Sequence, residues 1–372
     1  MLPGSALEDF PVVNKAYLRD HTDDLVSSQF SVDDLVTAST SGSTGTPLRV
    51  LQDRGKRFWR NAETIYFGAE VGFDVGMRLY NLKVWSERNR QPRWRHLIRN
   101  TRPVDVVKLS DDQIARFISE LAELKQPAAI ISYASALDQI AAYVTRTPDC
   151  PQVSKVQSII AQSEPLSEET RNRMGAHFGV LPVSRYGMEE VGVIGQESVG
   201  GVSGYRLNRS GVVVEVLDNN ADVPAGPGEV GRIVVTDLRN YGMPIIRYDT
   251  GDVGRFAVKD TGEPDTSRLA SIEGRFLDRI TDASGNHVSP FVFYKSVWKY
   301  PEIRQFQLAQ TAHAKYELRL QVDAPLADEA QIARDFTEHL GSGADFEVRY
   351  VDDFPVLKSG KRRQVVNESR AA

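Results

Sequence analysis

A single cysteine among 372 residues, Cys150, rules out an internal disulfide framework and argues against a cysteine-ligated zinc site. Between Asp149 and Pro151 it reads as a loop thiol. Long apolar runs are missing as well. No segment approaches the length that spans a bilayer, and MLPGSALEDFPVV lacks the basic region and apolar core of a signal peptide. The expected compartment is the cytoplasm, with no membrane partner. Nor is there an excess of positive charge: 45 basic residues face 50 acidic ones, a net charge of −5 with a pI near 5.8. That balance gives no sign of a nucleic-acid partner, while a small anionic ligand needs only a local cationic site. Among catalytic signatures there is no Gly-x-Ser-x-Gly elbow, no Walker Gly-Lys-Ser/Thr and no cluster among the six histidines, each of which reads as structural or solvated. Internal repeats and low-complexity tracts are also absent.

What remains is an ordinary globular composition, 41% hydrophobic and 26% charged, long enough for one large domain and a smaller one. Residues 1–36 read as polar helix and connector. Ser110-Asp-Asp-Gln113 is a capping box opening a helix whose stripe is Ile114, Phe117, Ile118, Leu121 and Leu124. Residues 127–132 suit a buried strand, followed by a helix carrying Leu137, Ile140, Ala141 and Val144; a further strand ends at Ile159-Ile160. Ser167 caps the next helix, Glu168 and Glu169 favour its first turn, and Gly179 stops it. From Gly211 strands and turns take over, with Val212 to Leu217 and Arg232 to Leu238 flanking a Pro/Gly-rich turn. Gly226-Pro-Gly-Glu-Val-Gly231 fits the dinucleotide G-x-G-x-x-G pattern by letter, yet it precedes a strand and not a helix, so it reads as a turn. After Gly274 a compact α+β segment begins, its clearest helix near Asp328 to Leu340 with Ile332, Phe336 and Leu340 on one face. The expected fold class is α/β: a large N-terminal domain, residues 1–275, with β-sheets and a barrel-like annex, and a small mobile α+β domain, residues 276–372.

Four polar segments stand out. Ser39 to Gly45 is a run of seven small or hydroxylated residues, a composition that cradles phosphate through backbone N–H groups and hydroxyls and equally suits a flexible linker. Ser184-Arg-Tyr-Gly-Met-Glu-Glu-Val-Gly192 offers Tyr186 as a flat face beside an open backbone at Gly187, and Glu189 or Glu190 as a magnesium ligand or a solvated pair. Arg247-Tyr-Asp-Thr-Gly-Asp252 holds two carboxylates around a tight turn; one can accept both ribose hydroxyls while Asp249 caps its own backbone. Near the end, Gly360-Lys361 presents a lysine on a turn, within a stretch that also suits a plain basic tail.

In this order the segments resemble the motif series of adenylate-forming enzymes, in their phenylacetate–CoA ligase branch. The resemblance runs from about Phe10 to Val365 and includes Ser163-Glu-Pro-Leu166, Tyr186-Gly-Met-Glu-Glu190, Pro244-Ile-Ile-Arg-Tyr-Asp-Thr-Gly-Asp252 and Gly274-Arg-Phe-Leu-Asp278. It implies that Ser41, Gly42, Ser43, Thr44 and Gly45 bind the β- and γ-phosphates of ATP. Tyr186, Gly187 and Met188 would flank adenine, Glu190 would take Mg²⁺, and Asp252 would hold the ribose with Arg275 nearby. Lys361 would stabilise the adenylation transition state, and Tyr133 would line the acyl pocket. Departures from the pattern are Thr46 in a frequent lysine position, Glu189 in a Ser/Thr position beside phosphate, Leu277 where the hinge often has Asp, and a short region ahead of the phosphate loop. The last suggests that part of the N-terminal wall of the substrate site is missing or replaced.

The implied function is ATP-dependent activation of a carboxylic acid, aromatic by resemblance, as an acyl-adenylate, followed by transfer to CoA. Such chemistry needs positioning and charge stabilisation but no side-chain nucleophile, in keeping with the missing signatures. Two alternatives stay open: delivery of the acyl group to an amine, hydroxyl or carrier protein, and a degenerate nucleotide-binding protein. A homodimer is also left open.

Overall fold

The computed structural model describes residues 6–39, 48–85, 91–106, 109–200, 203–275, 280–288, 293, 296–297, 299–300, 302–322, 326, 328–352, 354 and 364–369. Helix α1 (Lys15–Asp20) begins where the Asn14 side chain accepts from the Tyr17 N–H. Strands β1 (Val36–Ser39) and β2 (Arg49–Gln52) then pair antiparallel as a ribbon, and helix α2 (Arg54–Ala69) comes next, capped by Asp53. The same Asp53 carboxylate accepts from the Tyr241 and Gly242 backbone at 2.8 and 3.2 Å, tying the start of α2 to a distant loop.

Strands and helices now alternate: β3 (Arg78–Lys83), α3 (Arg93–Ile98), β4 (Thr101–Asp105), α4 (Asp111–Ala122), β5 (Ala128–Tyr133), α5 (Ala134–Arg146), β6 (Val156–Gln162), α6 (Glu168–Phe178) and β7 (Val183–Met188). The five strands are mutually parallel in the spatial order β4-β3-β5-β6-β7. The capping box at Ser110 and the stop at Gly179, which has φ of 71°, sit where local chemistry places them. Strand β6 runs to Gln162, two residues past the apolar pair that marks it in the sequence, because pairing with β5 continues through Gln162.

The sheet then reverses direction. Strands β8 (Gly192–Glu197), β9 (Tyr205–Leu207), β10 (Val212–Leu217), β11 (Gly231–Asp237), β12 (Tyr248–Val258) and β13 (Pro264–Arg275) are antiparallel to their neighbours and extend the same sheet to 11 strands, β10-β11-β12-β13-β9-β8-β7 and onward. The Gly226–Gly231 segment is the turn between β10 and β11. The C-terminal part builds a separate four-stranded sheet, order β18-β17-β16-β19, from β16 (Ile303–Ala312), β17 (Lys315–Val322), β18 (Asp345–Tyr350) and β19 (Val365–Asn367), beside a small ribbon of β14 (Ile280–Thr281) and β15 (His287–Val288). Helix α7 (Glu329–Leu340) buries Ile332, Phe336 and Leu340 in this unit.

Apolar burial holds each layer. Tyr80, Leu82, Ile130 and Ile159 on the parallel strands pack with Ile114, Phe117 and Ile118 of α4 and Leu137 and Ile140 of α5, each burial contributing about 1.5–3 kcal/mol for a Val, Leu, Ile or Phe side chain. Cys150 belongs to this core, so the loop thiol is buried, and burial pushes its thiol up from the ordinary value. No helix among the described residues is long and apolar enough to cross a membrane.

One buried charge is structural. Lys56 of α2 is fully buried, with Nζ 2.7 Å from Asp237 Oδ2 on β11 and donating to the Val191 carbonyl at 2.6 Å. Burial still pushes the Asp237 carboxyl up from its ordinary value, outweighing the opposing lysine. Lys56→Ala is expected to cost about 3–5 kcal/mol by leaving Asp237 alone in the core. Urea denaturation measures the loss, and Lys56→Met with Asp237→Leu should recover most of it.

Candidate active site

Strands of a parallel sheet end on a common edge, and ligands of open α/β sheets bind there, where the chain reverses its winding. Here the chain leaves β3 for β4 on one side and returns to β5 on the other, so the crevice lies beyond β3 and β5. Lys83 and Trp85 emerge from β3, Tyr133 ends β5, Glu164 lies just past β6, and the Tyr186–Glu190 segment closes β7 and leads out of it.

Each group is held by its own chemistry. Ser163 adopts φ of 71°, a left-handed turn that brings Glu164 to the start of α5, where its carboxylate accepts from the Ser135 N–H at 2.8 Å. Tyr133 hydrogen-bonds the Val84 main chain, and burial, with Glu164 and Glu189 nearby, pushes its hydroxyl up to about 12. Lys83 lies over the Trp85 ring at 4.3 Å; burial lowers its ammonium from the ordinary value, against the pull of Glu189. The expected acyl-pocket residue Tyr133 therefore lies near Glu164 and Glu189 of the motif segments, and Lys83, which the sequence does not mark, feels the same Glu189.

The Ser184–Gly192 segment is a hairpin, half of it strand. Pairing of β7 with β8 slips between Tyr186 and Gly187, a bulge that re-aims the side chains around it. Gly187 is required there, since a Cβ would stand 2.8 Å from the Gly192 carbonyl oxygen. The Tyr186 hydroxyl donates to Asp252 Oδ2 at 2.8 Å across the sheet; burial, reinforced by that carboxylate, raises the hydroxyl well above its ordinary value. Of the two aspartates in the Arg247–Asp252 segment, Asp249 caps its own turn as the sequence suggests. Asp249 accepts from the Gly251 N–H at 2.9 Å and pairs with Arg232 at 2.8 Å, whereas Asp252 faces Tyr186. The β12–β13 register sets Arg275 opposite Asp252.

Glu190 is buried, and its carboxylate meets Lys15 Nζ at 3.6 Å and the Tyr248 hydroxyl at 3.5 Å. Both contacts are long, leaving oxygen lone pairs for a further hard cation; one buried carboxylate beside phosphate oxygens and water is how Mg²⁺ is commonly held. Glu190 alone could supply one such hard-oxygen ligand, in place of its long contact with Lys15. Glu189 points elsewhere. It pairs with Arg60 of α2 at 3.1 Å, and Gln52 Nε2 donates to its carbonyl at 3.2 Å. The negative charge introduced by Glu189 is thus met by a neighbouring guanidinium. These groups border a cavity of about 350 Å³.

Ser41, Gly42, Ser43, Thr44, Gly45, Thr46, Leu277, Asp278 and Lys361 lie outside the described residues, as does the side chain of Arg275. Their described neighbours can be placed: β1 and β2 flank the Ser/Thr/Gly segment and, through Gln52, abut the Glu189 carbonyl. Gln364, three residues after Lys361, contributes a side-chain hydrogen bond to Asp138 of α5.

Comparison with known proteins bears on the fold. Residues 280–368 match the CapK C-terminal domain family. A phenylacetate–coenzyme A ligase of Aromatoleum evansii is 25% identical over 235 residues, 62% of this chain and 52% of that protein. One from Thermus thermophilus is 29% identical over 105 residues, 28% of this chain and 24% of that protein. Among solved structures, 2-hydroxyisobutyryl-CoA ligase in the postadenylation state, in complex with 2-HIB-AMP, superposes with a TM-score of 0.71 at 18% identity, over 97% of this chain and 80% of that one. The chain has the adenylate-forming fold and resembles the phenylacetate–CoA ligase branch. Anthranilate CoA ligase in complex with anthranoyl-AMP gives a TM-score of 0.64 at 13% identity, over 90% of this chain and 67% of that one. The chain spans about half or less of the length of the curated relatives it matches.

Asp138 offers a test of this edge. It accepts from the Thr170 hydroxyl, and burial, with Glu164 adding repulsion, pushes its carboxyl from 3.8 up to about 7. The folded protein therefore holds this proton more tightly than the unfolded chain. The contribution is fully present below about pH 4 and is lost as pH rises through about 7. The stability difference between wild type and Asp138→Asn should decline across that window, read from urea midpoints at both ends; a flat difference would contradict the assignment.

Proposed function

We propose that this chain activates a carboxylic acid with ATP as an acyl-adenylate and transfers the acyl group to CoA. The observation carrying the reading is the convergence of Tyr186, Asp252 and buried Glu190 at the carboxyl edge of the sheet, reached from β7 and β12. In the first step a carboxylate oxygen of the acid bonds to the α-phosphorus, the bond to the β-phosphate oxygen breaks, and pyrophosphate leaves. In the second, a thiol sulfur bonds to the acyl carbon, the acyl–oxygen bond breaks, AMP departs and the thiol proton passes to solvent. Both steps depend on holding charged partners in line.

The motif resemblance supports the following residue roles. Tyr186, Gly187 and Met188 border the adenine, and Asp252 takes the ribose hydroxyls, with Arg275 set beside it by strand register. Ser41 to Gly45 receive phosphate. Glu190 holds Mg²⁺, which when bound neutralises phosphate charge. Tyr133 gives the acyl site an aromatic wall, supporting an aromatic acid, and Lys83, which like Tyr133 feels Glu189, adds a cation nearby. Residues 1–275 are the adenylating domain and 276–372 the lid that delivers Lys361. The phenylacetate–CoA ligases and the anthranilate enzyme among the relatives support both the aromatic acid and the CoA acceptor.

Exchange of labelled pyrophosphate into ATP, run with a panel of aromatic and aliphatic acids, tests the first step. Exchange should depend on the acid, and Lys361→Ala should slow it by roughly 10²–10³-fold. Exchange that ignores the acid defeats the reading. Release of AMP that requires CoA, and not an amine or carrier protein, identifies the acceptor.

A further inference from the structure

The cavity beside α2 differs in kind from the acyl crevice. Its walls include Thr37 of β1, Gln52 of β2, Arg57, Arg60 and Asn61 of α2, and Glu189. Each of these side chains carries hydrogen-bonding groups, and two are guanidinium groups, so neither a ring nor an alkyl chain is matched there. At about 350 Å³ the space lies at the small end for ligand pockets, suited to part of a nucleotide and not to the whole.

Arg60 is arranged as a cation in waiting. One Nη bonds Glu189 Oε2 at 3.1 Å, and the other bonds Gln52 Oε1 at 3.2 Å. Gln52 is itself 2% exposed and donates to the Glu189 carbonyl at 3.2 Å, so the wall behind the guanidinium is fixed. The Glu189 side chain, by contrast, is 59% exposed, and an ion pair of that exposure is weak and readily exchanged. Arg57 lies one turn earlier on α2, exposed and without a partner among the described residues. A planar guanidinium fork matches phosphate oxygens, and Thr37 and Asn61 supply neutral donors around it.

We propose that this cavity receives the pyrophosphate portion of ATP, and that Arg60 exchanges its Glu189 partner for a phosphate oxygen while Arg57 adds a second charge. The identity of the ligand rests on the acid-activating reading above. Glu189 then serves as a stand-in for phosphate, holding Arg60 extended before the nucleotide arrives and reclaiming it when pyrophosphate leaves.

Calorimetric titration of inorganic pyrophosphate into the full chain tests this directly. Arg60→Gln should weaken binding by roughly 10–100-fold and Arg57→Gln by roughly 3–10-fold, the range for losing a charge-assisted contact. Glu189→Gln should tighten it a few-fold, because Arg60 is released. Arg60→Lys keeps the charge without the fork and should fall between wild type and Arg60→Gln. Affinity unchanged in a folded Arg60→Gln, or weakened by Glu189→Gln, overturns the proposal. Acid-dependent exchange measured on the same preparations separates the two readings. Arg60-dependent pyrophosphate binding without exchange for any acid keeps the cavity assignment and discards acid activation. Exchange with binding indifferent to Arg60 and Glu189 does the reverse.

Discussion

The common edge of the parallel strands is the constraint on which the site depends. Strands β3, β5, β6 and β7 run in one direction, so the residues that leave them emerge side by side whatever their distance in sequence. Residues 83–85, 133, 164 and 186–190 share one rim for that reason. The reversal at the β7–β8 hairpin then adds a second half-sheet, and the Tyr186–Asp252 hydrogen bond spans the two halves. A site composed only of loops would need each loop ordered separately; here the hydrogen-bonded ladders supply the order.

Helix α2 serves both interior and exterior. Lys56 turns inward to Asp237 and to the Val191 carbonyl, next in sequence to Glu190, while Arg60, one turn on, faces the cavity and Glu189. The position of the glutamate pair is therefore set from a helix that contains none of the motifs. Burial of Lys56 is tolerable because a carboxylate and a carbonyl both lie within 2.7 Å of its nitrogen.

The elements most readily seen in the sequence are those specified by local chemistry. The Ser110 box, the Ser167 cap, the Gly179 stop and the α7 stripe each depend on residues within a turn or two of one another. The turn-closing role of Asp249 is also legible, since a carboxylate two residues before a glycine amide closes a turn on itself. Features that depend on pairing across the fold are not. Nothing in α2 distinguishes Arg60 from any solvated arginine on an amphipathic helix, because its meaning comes from Glu189, distant in sequence. Lys83 and Trp85 carry one usable signal, their place at the carboxyl end of a buried strand, where parallel sheets present ligand-facing residues. The hairpin nature of Ser184–Gly192 is hidden because Gly187 and Gly192 read as loop formers, whereas one of them permits close strand contact.

The contact between Asp138 and Gln364 has a mechanical corollary. Gln364 leads directly into β19, which is laced in parallel to β16, so α5 touches the C-terminal sheet close to where that sheet begins its last strand. A single amide–carboxyl tether contributes on the order of 1 kcal/mol when neutral and about twice that when the carboxyl is ionised, comparable with a few multiples of thermal energy. A fastening of that size is small beside the apolar burial that holds either sheet together, so it adds to the packing of α5 without governing it.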